Sequence, residues 1–166
     1  EIAVSSPTRR SAAPLRIPVE DLLAQAASLA RRSSTVQRLF GDGDSANRID
    51  LLVVGDGYTA AQEATFFANA TSVASAFLDI SPYREYKPAF NATALFVASN
   101  ESGADQPNTG SCVGNGQMKD TAFDATYCTS DIDRLLTANS TKVYTAAAAV
   151  PEWDLILVIV KDTKYG

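Results

Sequence analysis

The segment Asn47–Thr59 reads NRIDLLVVGDGYT, and the fold class turns on it. Arg48 to Val54 is mainly aliphatic and β-branched, the composition of a strand buried on both faces. The run stops at Gly55-Asp56-Gly57 and a helix starts at once. Thr59 and Gln62 have capping-box spacing, and Phe66, Ala70, Val73, Phe77 and Ile80 then form one apolar stripe that Pro82 ends. Phe90 to Ala98 (FNATALFVA) reads as a second strand. A strand, helix and strand in this order form a parallel unit with a right-handed crossover, so the chain is α/β with a mainly parallel sheet.

Downstream, Ser99 to Cys128 reads as a long loop, and loops of that length in compact domains are usually functional or disordered. A short helix is expected at Ile132–Thr137 behind Ser130, with Asp133 completing a capping pattern. A stronger one is expected at Lys142–Val150, led in by Asn139-Ser140-Thr141 and stopped by Pro151. Asp154 to Val160 (DLILVIV) is the most hydrophobic strand and is expected at the centre of the sheet. Upstream, Leu22, Leu23, Ala26, Leu29 and Ala30 recur at helical spacing, so Val19 to Phe40 reads as an amphipathic helix stopped by Gly41-Asp42-Gly43-Asp44. Glu1 to Pro18, rich in Ser, Pro and Arg with the pair Arg9-Arg10, reads as a flexible arm. The organisation is thus an arm at 1–18, a lead-in helix and linker at 19–46, and a domain at 47–166.

With 166 residues, 46% of them hydrophobic, the chain can bury the core of one domain. Its net charge of −5, with both signs interspersed, gives no basic stripe for a phosphate backbone, so nucleic acid is not an expected partner. No apolar run approaches the roughly 20 residues that cross a bilayer, so no membrane association is expected. Cys112 and Cys128 flank a polar, Gly- and Asn-rich stretch, which suits a disulfide in an oxidising compartment; two reduced thiols are the alternative. Asn-x-Ser/Thr sequons begin at Asn69, Asn91, Asn100 and Asn139, which points to a secreted, extracellular glycoprotein. Asn139, in a polar stretch at a helix start, is expected to carry glycan first. Asn91, inside a strand, should carry it least.

The chain contains no histidine. It therefore builds no Ser-His-Asp triad, no Cys-His pair and no His-ligated zinc site from its own residues. Gly55-Asp56-Gly57 suggests a dinucleotide fingerprint, but the third glycine is replaced by Ala60 and Asp56 would repel a pyrophosphate. Asp42, Asp44 and Asn47 resemble the start of a calcium loop without its bidentate Glu or its glycines. No carboxylate pair stands out for glycosidase chemistry, no Asp-Thr-Gly signature for an aspartic protease is present, and Trp153 reads as a core anchor.

Four longer words carry more information. NRIDLLVVGDGYT (Asn47–Thr59), FVASNESGADQP (Phe96–Pro107), IDRLLT (Ile132–Thr137) and PEWDLILVIVKDTKYG (Pro151–Gly166) occur in the order and spacing of the IgA peptidase family of secreted zinc metallopeptidases, which the chain resembles over about Asn47–Gly166. The resemblance implies the N-terminal subdomain of a zincin, a three-layer-like mixed, mainly parallel sheet with flanking helices. In that family a His-Glu-x-x-His helix follows the equivalent of Lys164-Tyr165-Gly166. That helix places two imidazoles on zinc and a Glu as general base. No catalytic or metal-binding residue of this chain matches that motif. The expectation is an N-terminal part of a zinc endopeptidase that is inert alone, with zinc belonging to a full-length member. Asp162, Lys164, Tyr165 and Gly166 are the expected cleft-wall residues nearest the missing helix. The expected partners are the missing C-terminal part, a partner chain or a second copy, with a protein or peptide substrate for the full enzyme. A secreted, non-catalytic binding module for glycan or protein on the same scaffold is the alternative.

Overall fold

The computed structural model describes residues 18–165; the arm read at its start, with Arg9-Arg10, and Gly166 lie outside it. Four strands and three helices follow in the order α1 (Val19–Ala30), β1 (Ser34–Phe40), β2 (Ile49–Asp56), α2 (Glu63–Leu78), β3 (Phe90–Val97), α3 (Ser140–Ala147) and β4 (Leu155–Val160). The sheet order is β1-β3-β2-β4. β2 runs parallel to both β3 and β4, and β1 is antiparallel to β3.

The strand from which the fold was read is the buried centre of the sheet. Leu51 to Asp56 of β2 are buried without interruption, because helices cover both faces. Leu52 and Val54 pack with Leu95, Val97, Leu29 of α1 and Val143 and Ala147 of α3. Leu51 and Val53 face the other way, with Ala92, Ala94 and Phe96, onto Phe66, Ala70 and Ala74 of α2. The result is three layers. α2 enters through the expected capping box, in which the Thr59 side chain and Gln62 satisfy each other's backbone N–H groups.

Three local expectations are corrected. The helix read over Val19–Phe40 ends at Ala30, and residues 34–40 form β1. Thr35 and Val36 are β-branched, and the backbone of the segment is satisfied by β3, from Ser34↔Val97 to Phe40↔Ala92. Among the described residues β4 is not central but an edge strand, paired with β2 alone. Its composition reports apolar surroundings on two faces, which β2 and the helices supply in part, and says nothing about how many strands flank it. Finally, Ile132–Thr137 forms no helix; the nearest regular turn is a 3-10 turn at Thr129–Asp131, and Thr137 instead bridges Thr126.

Candidate functional site: the rim at the ends of β2 and β4

The carboxyl ends of parallel strands are where α/β sheets present ligand sites. Here β2 ends at Asp56 and β4 at Val160, side by side in the ladder, and the loop 99–128 folds over both. Two carboxylates pin it there. Asp56 is wholly buried. It accepts hydrogen bonds from Thr121 Oγ1 (2.8 Å), Phe123 N (2.9 Å), Ala125 N (2.8 Å) and Ser99 Oγ (3.4 Å). All four donors belong to the loop, so a charge buried at the end of β2 is satisfied only if the loop is in place.

The flanking glycines have steric reasons. A Cβ at Gly55 would run into the Phe66 ring of α2, and Gly57 (φ +72°) lies under the Gly103 carbonyl. The Gly-Asp-Gly word thus works as a strand-to-loop clamp in place of a phosphate cradle.

Asp162 repeats the arrangement beyond β4. Its Oδ2 accepts from Ala104 N (3.1 Å) and its Oδ1 from Lys164 N (2.9 Å), while Gln106 Nε2 reaches both oxygens at 2.9 and 3.0 Å. Burial opposes its ionisation, but the hydrogen bonds from Lys164, Gln106, Ala104 and Thr163 outweigh burial and hold the carboxyl below the ordinary aspartate value. Lys164 Nζ pairs with Asp133 at 2.8 Å and lies 5.1 Å from the centroid of the Tyr127 ring, and Tyr127 Oη donates to the Lys164 carbonyl at 2.6 Å. The Lys164 hydrogen bond, helped by Val113 N, lowers the Asp133 carboxyl. Burial, with the Asp162 charge behind it, raises the Tyr127 phenol.

Of the four cleft-wall candidates, Asp162 and Lys164 are therefore brought together in one network. Tyr165 projects into solvent at 79% exposure, and Gly166 lies outside the described residues. Between the loop and the end of β4 opens a polar cleft of about 270 Å³ lined by Ser102, Gln106, Gln117, Lys119, Lys161 and Asp162, among others.

Cys112 and Cys128 are joined in a disulfide, Cα atoms 5.8 Å apart. Beside it, Asp124, Cys128, Ser130 and Asp131 all take left-handed backbone angles (φ +50°, +70°, +55° and +59°). Such residues each cost on the order of 1 kcal/mol or more, and they persist where surrounding contacts over-determine them. The crosslink and the Asp131 contacts to Ser111 constrain the stretch Cys128–Asp131, and Asp124 is held by Asn139 and Lys142.

The sequons fall in four environments. Asn91 has no exposed surface and donates to the Gly43 carbonyl and Asp50. Asn69 is partly covered on α2 and donates to Tyr58 Oη. Asn100 is exposed and donates to Asp120. Asn139 caps α3 through Lys142 N while its amide donates to Asp124.

The residues present do not fit zinc. Among the described residues one group of His, Cys, Asp and Glu side chains is close enough to converge on an ion, namely Cys112, Cys128 and Asp131. Its two sulfurs are consumed by the disulfide, and a thiolate is needed to bind the metal. With no imidazole in the chain, no step of metal chemistry is assigned to these residues.

A family model described as IgA Peptidase M64 matches residues 38–166. The chain belongs to the IgA Peptidase M64 family. A search of curated proteins returns no match. The M64 match takes in β2, β3, β4 and the whole loop between the two carboxylate clamps. It makes the chain metallopeptidase-like and suggests zinc for full-length M64 members. Among the residues that build this rim, Asp56, Thr121, Gln106 and Tyr127 escaped the reading of the sequence. An acid set between glycines at the end of an apolar strand was the one signal available for Asp56. For the other three there was none, because their partners are distant in the chain.

Proposed function

We propose that this chain forms the sheet and one cleft wall of a secreted zinc endopeptidase, and that it is catalytically inert without a histidine-bearing segment from outside these 166 residues. The observation that carries this reading is the M64 match over a chain that contains no imidazole. On this reading the rim of Asp162, Lys164 and the pinned loop orients a peptide beside the active-site helix. Rigidity there has a mechanical use, since a misplaced substrate loses rate steeply.

The disulfide supports an extracellular setting, and no helix among the described residues is long and apolar enough to cross a membrane. The open edge of β4 supports a partner along that strand. The test is zinc stoichiometry and protein hydrolysis, measured on the chain alone and after supplying a His-Glu-x-x-His segment in cis. Neither property is expected of the chain alone. A monomer that binds one zinc and cuts casein without that segment would overturn the proposal.

A further inference from the structure

The polar cleft beside β4 is rich in donors. Ser102, Gln117 and Thr163 line it with Lys119 and Lys161. Lys161 enters no ion pair among the described residues. Lys119 makes one loose contact, with Glu101 at 3.7 Å. Asp162 is the single acid in the lining. Its two oxygens are already occupied by Ala104 N, Gln106 Nε2, Thr163 N and Lys164 N, so it has little left to offer a lysine. The cleft therefore gathers two lysines around one carboxylate whose oxygens are already engaged, among neutral Ser, Thr and Gln side chains that can donate or accept. A group that brings acceptors and one negative charge completes it.

From this we infer that the cleft is a subsite for a carboxylate carried by a peptide, either an acidic side chain or a chain end. The choice of a peptide as carrier rests on the peptidase reading above. The choice of a carboxylate rests on the cleft alone. Phosphate sites are typically built from helix N-termini, glycine nests or arginine forks; no helix terminus or arginine lines this cleft, and the backbone N–H groups of its Gly103 and Ala104 are spent on the Gly57 carbonyl and Asp162. One free lysine and one loosely tethered lysine suit a single charge better than a dianion. Because the cleft is open, each ammonium should contribute about as much as an exposed pair, on the order of a fivefold change in affinity, and the effect should fade with salt.

The test uses the isotope-labelled chain and amide shift titrations, which need neither zinc nor cleavage. Acetyl-Ala-Glu-Ala-amide should shift the amides of Gln117, Lys119, Lys161 and Thr163 saturably. Acetyl-Ala-Gln-Ala-amide should not. A blocked tri-alanine with a free carboxyl end separates side-chain recognition from terminus recognition. Lys161→Gln and Lys119→Gln should each weaken binding about fivefold with an unchanged melting temperature, and the double variant should weaken it about 25-fold. Equal binding of the Gln peptide, tighter binding of inorganic phosphate, intact binding in the double variant, or no shifts at all would each overturn the inference. None of these outcomes bears on hydrolysis, which the zinc and cleavage assays decide separately.

Discussion

Replacing Asp56 with Asn keeps the size of the side chain and removes half of its accepting capacity. Oδ1 accepts from Phe123 N and Ser99 Oγ, and Oδ2 from Ala125 N and Thr121 Oγ1. Whichever way the Asn amide is turned, its NH₂ meets a backbone N–H, from either Phe123 or Ala125. The Thr121 hydroxyl can rotate to become an acceptor, whereas Ser99 Oγ already accepts from Gly57 N and Ala122 N, and a backbone N–H can only donate. One buried donor is left unpaired, at about 1–3 kcal/mol, and a charge-assisted bond is replaced by a neutral one, at about 1 kcal/mol. The expected loss is about 2–4 kcal/mol, a large share of the stability typical of a domain. For a chain of this size that is a melting temperature lower by roughly 5–15 °C. The assay is urea and thermal unfolding followed by near-ultraviolet circular dichroism, with hydrogen exchange at Phe123 and Ala125 reporting the loop itself. Protection at those two amides should fall further than protection in β2. A variant within about 0.5 kcal/mol of the parent, with both amides still protected, would refute the claim that Asp56 pins the loop.

Cys112 and Cys128, 16 residues apart, should yield no free thiol in the unfolded, non-reduced protein; replacing both with Ser should cost about 3 kcal/mol in urea unfolding. In material from a eukaryotic secretory host, glycopeptide mapping should find Asn91 bare, because its amide is buried and fully engaged. Asn139 should be occupied first, and Asn91 occupied with Asn139 bare would contradict both placements. The carboxyls of Asp120 (through Asn100 and then Arg32), Asp133 and Asp162 are all lowered in the folded chain. Their stabilisation is therefore present above the unfolded value near pH 4 and is lost as pH falls through the folded values, which acid titration of the melting temperature should show. The raised Tyr127 phenol acts at the other end: stability should fall above about pH 10 as the unfolded phenol ionises first, and Tyr127→Phe should remove that alkaline component.

What could be read from the sequence follows how local its causes are. β2, α2 and β3 announce themselves through a buried apolar run, a capping box and a helical stripe, all set by neighbours a few residues away, although the face α2 buries is Phe66, Ala70, Ala74 and Leu78 and the expected Val73 and Ile80 are exposed. β1 does not. Val36, Leu39 and Phe40 continue an apolar spacing that suits a helix, and what makes the segment a strand is a ladder to β3, more than 50 residues on. The rim is less local still. Asp56 meets its donors 43–69 residues away, and Asp162 meets Gln106 across 56. An acid between two glycines therefore looked like an obstacle to phosphate binding when it is the anchor of a loop. The disulfide could be proposed because two cysteines have only one way to pair. The Lys164, Asp133 and Tyr127 contacts join three residues that no spacing rule connects.

The two edges of the sheet are built on opposite principles, and the difference bears on what the proposed enzyme requires. β1 is made as an edge: Gln37 and Arg38 are exposed, and the register shifts between Arg38 and Phe40, a break that discourages another strand from docking. β4 has no such feature. Its six residues, Leu155 to Val160, are all aliphatic, none is fully buried, and Leu155 is 41% exposed. Apolar side chains point to both faces, and among the described residues one side of the backbone is without a ladder. A helix laid on either face would cover side chains but leave that row of N–H and C=O groups unmatched, whereas a strand satisfies the row and extends both apolar faces for a helix to cover. An added strand is thus the one element that would serve both the backbone row and the apolar faces on this side of the sheet. On the proposed reading, a histidine-bearing segment that also pairs along Leu155–Val160 would close this edge, whereas one that brought imidazoles alone would leave the β4 edge to water.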